Sequence, residues 1–132
     1  MTAMQGPVVR APEIDRPGLQ WLNVAAPLSL ADLGGRLAIL DFWTSCCINC
    51  IQILPTLRRI EEAFPEEVVV IGVHSPKFPA EKEVENLRAA IARYSIRHPV
   101  VQDPDFQLWK QYAVRAWPTV VFLGPDGRVL GQ

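Results

Sequence analysis

No apolar run in this chain approaches the ~20 residues that crossing a bilayer requires. Charge of one sign is also missing. Thirteen Lys and Arg are scattered among fourteen Asp and Glu, for a net charge of -1. Such a balance excludes electrostatic attraction to nucleic acid or to an anionic membrane. Internal repeats and low-complexity tracts are absent. Cysteine is scarce, with three residues that all fall between positions 46 and 50. An odd, tightly clustered set cannot staple distant parts of a chain, so a disulfide framework is excluded. The opening stretch, MTAMQGPVVRAPEIDRPG, lacks the apolar core of a secretory leader and carries Pro7, Pro12 and Pro17. Residues 1–18 therefore read as a Pro-rich, extended and partly disordered lead-in, and the setting implied is a reducing cytoplasm. What remains is 49% apolar and 20% charged within 132 residues, enough for one domain with a real core, expected over residues 19–132.

Periodicity divides that domain into alternating elements. LQWLN (19–23) and PLSL (27–30) predict short edge strands, and ADLGG (31–35) a turn or brief helical bend. RLAILDF (36–42) is a continuous apolar run ending in an acid, as expected of a strand buried on both faces. Ile53, Leu57, Ile60 and Phe64 then form one stripe of an amphipathic helix that Pro65 stops and the internal Pro55 kinks. EVVVIGV (67–73) predicts a second buried strand. After the loop HSPKFP, Pro79 is placed to open a helix. Val84, Leu87, Ile91 and Tyr94 mark that helix as about four turns long. HPVVQD (98–103) predicts a third strand, and DPDFQLWKQYAV a short helix capped by Asp103, with Phe106, Trp109 and Tyr112 turned inward. PTVVFLG and RVLG, joined by PDG, predict a hairpin. Strand–helix–strand alternation implies parallel pairing and a mixed α/β sheet with helices on its faces. The hairpin is not followed by another helix in the sequence. One sheet face is therefore expected to be partly bare, or covered by another chain or a further segment.

The cysteines fall at the corner between the first long strand and its helix. Cys47 sits in the first helical turn, facing free backbone N–H groups and the positive end of the helix dipole, which favour a thiolate. Cys50 lies one turn deeper on the same face, shielded as a thiol. Their spacing lets one sulfur attack a disulfide while the other resolves the mixed disulfide. A C-x-x-C beside a βαβ pattern is a fairly specific redox signal. Inert burial is the bland alternative, since free cysteine is often a core residue.

From about Leu37 to Val129 the chain resembles a thioredoxin-fold domain with an extra βα insertion, as in the TlpA-like thiol-disulfide oxidoreductases. The resemblance rests on DFWTSCCINC, on Pro55 eight residues after Cys47, on AWPT (116–119) and on FLGPDGRV. CCINC, IGVHSPKFP and WPT are similar still to the N-terminal thioredoxin-like module of the NHL-repeat-containing protein 2 family, in which an NHL β-propeller follows. It implies Cys47 as nucleophile and Cys50 as resolving cysteine. It implies that Asp41 is a buried acid that exchanges a proton with Cys50. Pro118 would be cis and lie against the cysteine pair, and Trp117 would offer its backbone edge to a bound polypeptide. Two departures stand out. Cys46 occupies the slot of the family's Trp, and Ile48-Asn49 replaces Gly-Pro, which alters the N–H pattern around the nucleophile.

The other chemistry-bearing residues have blander readings. Cys46 reads as passive exposure or packing. Zinc held by Cys46, Cys47, Cys50 and His74 is an awkward geometry, and neither a metal nor a cofactor is called for. His74 reads as a loop residue that caps or meets solvent, with proton transfer as the alternative, and His98 as structural. Trp43 and Trp109 read as core, Trp43 near the site wall. Three functions follow: a reductant of polypeptide disulfides, a thioredoxin-like scaffold of a larger NHL-repeat protein, and a peroxiredoxin-like peroxidase. The last rests on Thr44-Ser45-Cys46-Cys47 as T-x-x-C, but Leu40 stands where that family has proline, and Arg115 is displaced from its activating arginine. It ranks last.

Overall fold

The computed structural model describes residues 9–132. Six strands form one sheet in the order β1-β4-β3-β2-β5-β6. The central pair is β2 (Leu37–Trp43) and β3 (Val68–His74), parallel and joined through α1 (Ile48–Ala63). A second crossover through α2 (Val84–Arg93) sets β4 (Val100–Gln102) parallel to β3. The edges run antiparallel: β1 (Gln20–Leu22) against β4, and β5 (Thr119–Leu123) against β2, with β6 (Val129–Gly131) closing the hairpin. The mixed α/β sheet expected from the alternation of elements is therefore present. Every residue of β2 after Leu37 is buried, because helices or chain segments cover both of its faces.

Side chains alternate between two cores. Leu40, Phe42, Val121 and Leu123 point to a layer made by the N-terminal segment and α3 (Gln107–Gln111). Ile39, Trp43 and Val70 point to the layer of α1 and α2, where Leu54, Leu57, Leu87 and Ile91 meet them. Packing extends upstream of residue 19. Ile14 is fully buried, Tyr112 donates its hydroxyl to Pro12 O at 2.6 Å, and Arg10 bridges Arg128 beside the hairpin. Residues 1–8 of the expected lead-in lie outside the described residues. Phe122 and Leu130 stand exposed on the hairpin.

Several boundaries differ from the sequence reading, for local reasons. PLSL forms no strand. Ser29 N–H donates to the Asp32 carboxylate at 2.8 Å, and a 3-10 turn follows over Ala31–Leu33. The helix expected from Pro79 is split into a 3-10 turn, Pro79–Lys82, and the ten-residue α2, with Glu83 extended between them. Asp103 does cap α3, since its carboxylate accepts from Leu108 and Trp109 N–H at 3.0 and 3.1 Å. Phe106 precedes α3 with φ of 60°, so Leu108 and Tyr112 enter the core while Phe106 and Trp109 stay half-buried.

Candidate functional site

The corner between β2 and α1 sorts the three cysteines by environment. Cys47 is the residue that caps α1, with an extended backbone and a half-buried side chain. Its sulfur accepts the Cys50 N–H at 3.2 Å, occupying the place a Ser or Asp oxygen takes at most helix starts. Cys50, three residues on, is fully buried in the α1–α2 core. Burial pushes its thiol up, and the adjacent Cys47 sulfur and the Asp41 carboxyl push in the same direction. Ile48 between them is 73% exposed, which leaves the mouth of the corner open on the side of the replaced Gly-Pro. All three cysteines are free.

Asp41, in the middle of β2, has no exposed surface, and neither carboxylate oxygen has a hydrogen-bond partner among the described residues. Its pKa is raised from 3.8 to about 7 by burial alone. A carboxyl that titrates near neutrality can hold or release a proton at working pH, and its charge opposes ionisation of Cys50. Trp43 is fully buried and meets the His74 ring edge-on at 4.8 Å. It is a core residue, in the same buried cluster as Cys50.

The sequence reading missed Glu81. This residue lies in the 3-10 turn and is almost wholly buried beneath the loop that leads to Cys47. Its Oε2 accepts from Thr44 Oγ1 and Ser45 Oγ, both at 2.8 Å, and from Cys46 N–H at 2.9 Å. Its Oε1 accepts from Lys77 and Phe78 N–H at 3.0 and 2.9 Å, with Cys46 Sγ at 3.5 Å. Burial opposes the charge, but these donors outweigh it and hold the carboxyl down at about 2. Cys46 is exposed, and partial desolvation and the Glu81 carboxylate raise its pKa, which disfavours its thiolate. A Glu three residues after Phe78, just past a helix-opening proline, is a recognisable cap signal. Its partners 35 to 37 residues upstream are not readable from any local pattern.

His74 corrects the sequence reading outright. It is the last residue of β3 and fully buried, not a solvent-facing loop residue. Its Nδ1 lies 2.7 Å from Gln102 Oε1, and its Nε2 accepts Ser45 N–H at 3.1 Å, an arrangement that assigns the proton to Nδ1. Burial lowers its pKa and keeps the ring neutral, against the opposing pull of Gln102 and Glu81. Gln102 in turn donates to Glu81 O and Lys82 O, so the ends of β3 and β4 and the 3-10 turn brace one loop. With Nε2 committed to Ser45, His74 cannot complete a zinc site. Among the described residues no group of three His, Cys, Asp or Glu side chains is placed to share an ion. His98 is buried and structural, with Nδ1 3.1 Å from Glu61 Oε1.

On the other side of the corner, the Trp117–Pro118 bond is cis. Thr119 pairs with Phe42 across β2 and β5, so Pro118 stands at the end of the sheet from which the Cys47 loop departs. Trp117 donates its indole N–H to Ser75 O at 2.8 Å and stacks on Trp109 with ring centroids 4.6 Å apart. Trp109 is half-buried, packed against the core on one side and against Trp117 and Phe106 on the other.

Comparison with known proteins agrees with this fold. A thioredoxin-like family profile matches residues 34–129. NHL repeat-containing protein 2 of Bos taurus is 49% identical over 116 residues, which cover 86% of this chain but 16% of that protein. The chain thus spans about a sixth of the length of that relative. The crystal structure of a thioredoxin-like superfamily protein superposes with a TM-score of 0.82 at 28% identity, covering 92% of this chain and 82% of the other. A secreted disulfide oxidoreductase of Mycobacterium tuberculosis, described as homologous to E. coli DsbE, superposes at 0.66 with 29% identity, covering 79% and 73%. The chain belongs to the thioredoxin-like family.

Proposed function

We propose that this chain is a thiol-disulfide oxidoreductase that acts on protein disulfides through Cys47 and Cys50. The observation that carries the reading is the asymmetry of the pair: one sulfur caps α1 at the surface, and the other is buried one helical turn below. In the reducing direction, the Cys47 thiolate attacks one sulfur of a client disulfide. A Cys47–client S–S bond forms and the client's second sulfur leaves as a thiolate. Cys50 then loses its proton and attacks Cys47, which releases the first client sulfur. Two electrons pass to the client, and the Cys47–Cys50 disulfide remains for a dithiol donor to reduce. Asp41 is the acceptor for the Cys50 proton, because it titrates close to neutrality while Cys50 is held protonated. The Trp117 backbone beside the cis bond supplies the edge on which an extended client lies. Trp43 and the Cys46 loop, fastened by Glu81, support the pair from below.

Insulin reduction with a small dithiol tests this reading. Wild type should exceed the dithiol alone, Cys47→Ser should not, and Cys50→Ser should trap clients as mixed disulfides on Cys47. The setting proposed is a reducing compartment such as the cytoplasm. A potential near thioredoxin's, about -270 mV, agrees with that, whereas one near about -120 mV would mark an oxidant.

The low coverage of the NHL-repeat relative favours a second reading, in which the domain docks polypeptides for a larger propeller protein and its thiols are regulatory. An insulin-reduction rate no better than the dithiol alone would select it.

A further inference from the structure

The insertion that carries Glu81 also builds a surface that thiol exchange does not use. Beside the corner lies a groove of about 540 Å³, within the size range of ligand sites. Phe78, Phe106 and Trp109 line it, and Lys77, Lys82 and Lys110 surround them. Phe78 is 54% exposed and leaves one side of its ring open to the groove. Phe106 and Trp109 meet edge-on at 5.1 Å, and both contact Trp117, so the aromatic wall continues to the cis peptide bond. Lys77 Nζ lies 5.7 Å from the Phe78 ring centroid and 5.9 Å from that of Trp117, spanning the two. The Lys77–Phe78 backbone is already fastened by Glu81, so the groove does not have to order its own loop on binding.

Three lysines line the groove with one carboxylate, Asp105, and the Glu81 carboxylate lies behind it on the Lys77–Phe78 backbone, so the patch is cationic on a chain whose net charge is -1. We propose that the groove binds an acidic, aromatic-containing extended segment of polypeptide that flanks the client cysteine. Carboxylates of the segment meet Lys77, Lys82 and Lys110, and its aromatic side chain packs against Phe78 and Trp109. The selection is one of partner and on-rate as much as of affinity, as charge complementarity at an open rim commonly is. That the segment flanks a client cysteine rests on the polypeptide-client reading given above, but occupancy of the groove does not require thiol chemistry.

The test uses the reduced 132-residue chain and synthetic peptides without cysteine or tryptophan, followed by the intrinsic fluorescence of the four tryptophans, of which Trp109 and Trp117 border the groove. A Glu-rich peptide carrying one Phe should bind saturably and lose affinity between low salt and ~0.3 M salt, where screening is strong. Replacing every Glu by Gln should weaken it by about tenfold, and Lys77→Glu with Lys110→Glu in the protein should do the same. The peptide substitution perturbs no part of the protein, so misfolding of the variant cannot produce that result. Equal binding of the Gln peptide, no saturable binding, or tighter binding of an oligonucleotide of equal charge would each overturn the proposal. Reduction of a small-molecule disulfide scores the redox reading separately. Its failure would leave peptide binding intact, and failure of peptide binding would leave reduction intact.

Discussion

Replacing Asp41 by Asn should flatten the pH dependence of stability between pH 4 and 8. The carboxyl of Asp41 titrates near 3.8 in the unfolded chain and about 7 in the folded one, with burial as the cause. The sign follows directly. Between those values the unfolded chain has released a proton that the folded chain retains, so stability falls as pH rises. Below 3.8 both states are protonated and there is no penalty; above 7 the penalty is complete. The gap is roughly three pH units, worth about 4 kcal/mol at 1.36 kcal/mol per unit. The Asn variant has no such term. Its amide adds a constant offset, because its donors also lack partners, but an offset cannot change a slope. Urea denaturation of the reduced protein at intervals from pH 4 to pH 8, a range in which Cys50 stays protonated in the folded chain, measures the difference. The stability of the variant relative to wild type should increase by about 4 kcal/mol across this range, most of it gained before pH 7. Parallel curves would refute the reasoning, because they would mean that Asp41 ionises in the folded chain as freely as in the unfolded one.

Other outcomes follow from neighbouring contacts. Glu81→Gln should destabilise by about 3 kcal/mol at pH 6, since five donors lose a carboxylate, and cyanylation or alkylation of Cys46 should become faster. That loss should shrink as pH falls from 4.5 toward 2, where the wild-type carboxyl itself protonates; an equal loss at pH 3 and pH 6 would contradict the assigned charge. Gly72→Ala should cost about 1–3 kcal/mol in chemical denaturation by overpacking. Its new methyl would lie 3.0 Å from Trp43 Nε1 and 3.3 Å from His98 Nε2, and a neutral effect would mean that this packing gives way easily. Iodoacetamide under native conditions should label Cys46 and Cys47 and spare Cys50 until the chain unfolds, as read by peptide mass; early labelling of Cys50 would contradict its burial.

The sequence by itself determined the elements whose partners lie close along the chain. The apolar run ending at Asp41, the stripe through Leu57 and the turn at PDG mark strand, helix and hairpin, because each pattern repeats within a few residues. Those elements bring Cys47 to a helix start and Cys50 one turn below, so the order of the thiols was legible before any fold was known. Where local side-chain bonds compete with periodicity, the reading slipped, as at Ser29–Asp32 and at the break before α2. Tertiary structure alone decided the rest. Glu81 meets Thr44, Ser45 and Cys46 because the second crossover returns the chain over the end of β2, a consequence of parallel pairing that no spacing encodes. His74 ended an apolar strand in the sequence like any loop-facing residue. It is buried because β4 brings Gln102 to one side of its ring and the cysteine loop brings Ser45 to the other. The aromatic groove joins Phe78 to Phe106 and Trp109, which lie far apart along the chain, with Trp117 beside them, and only the closed sheet places them side by side.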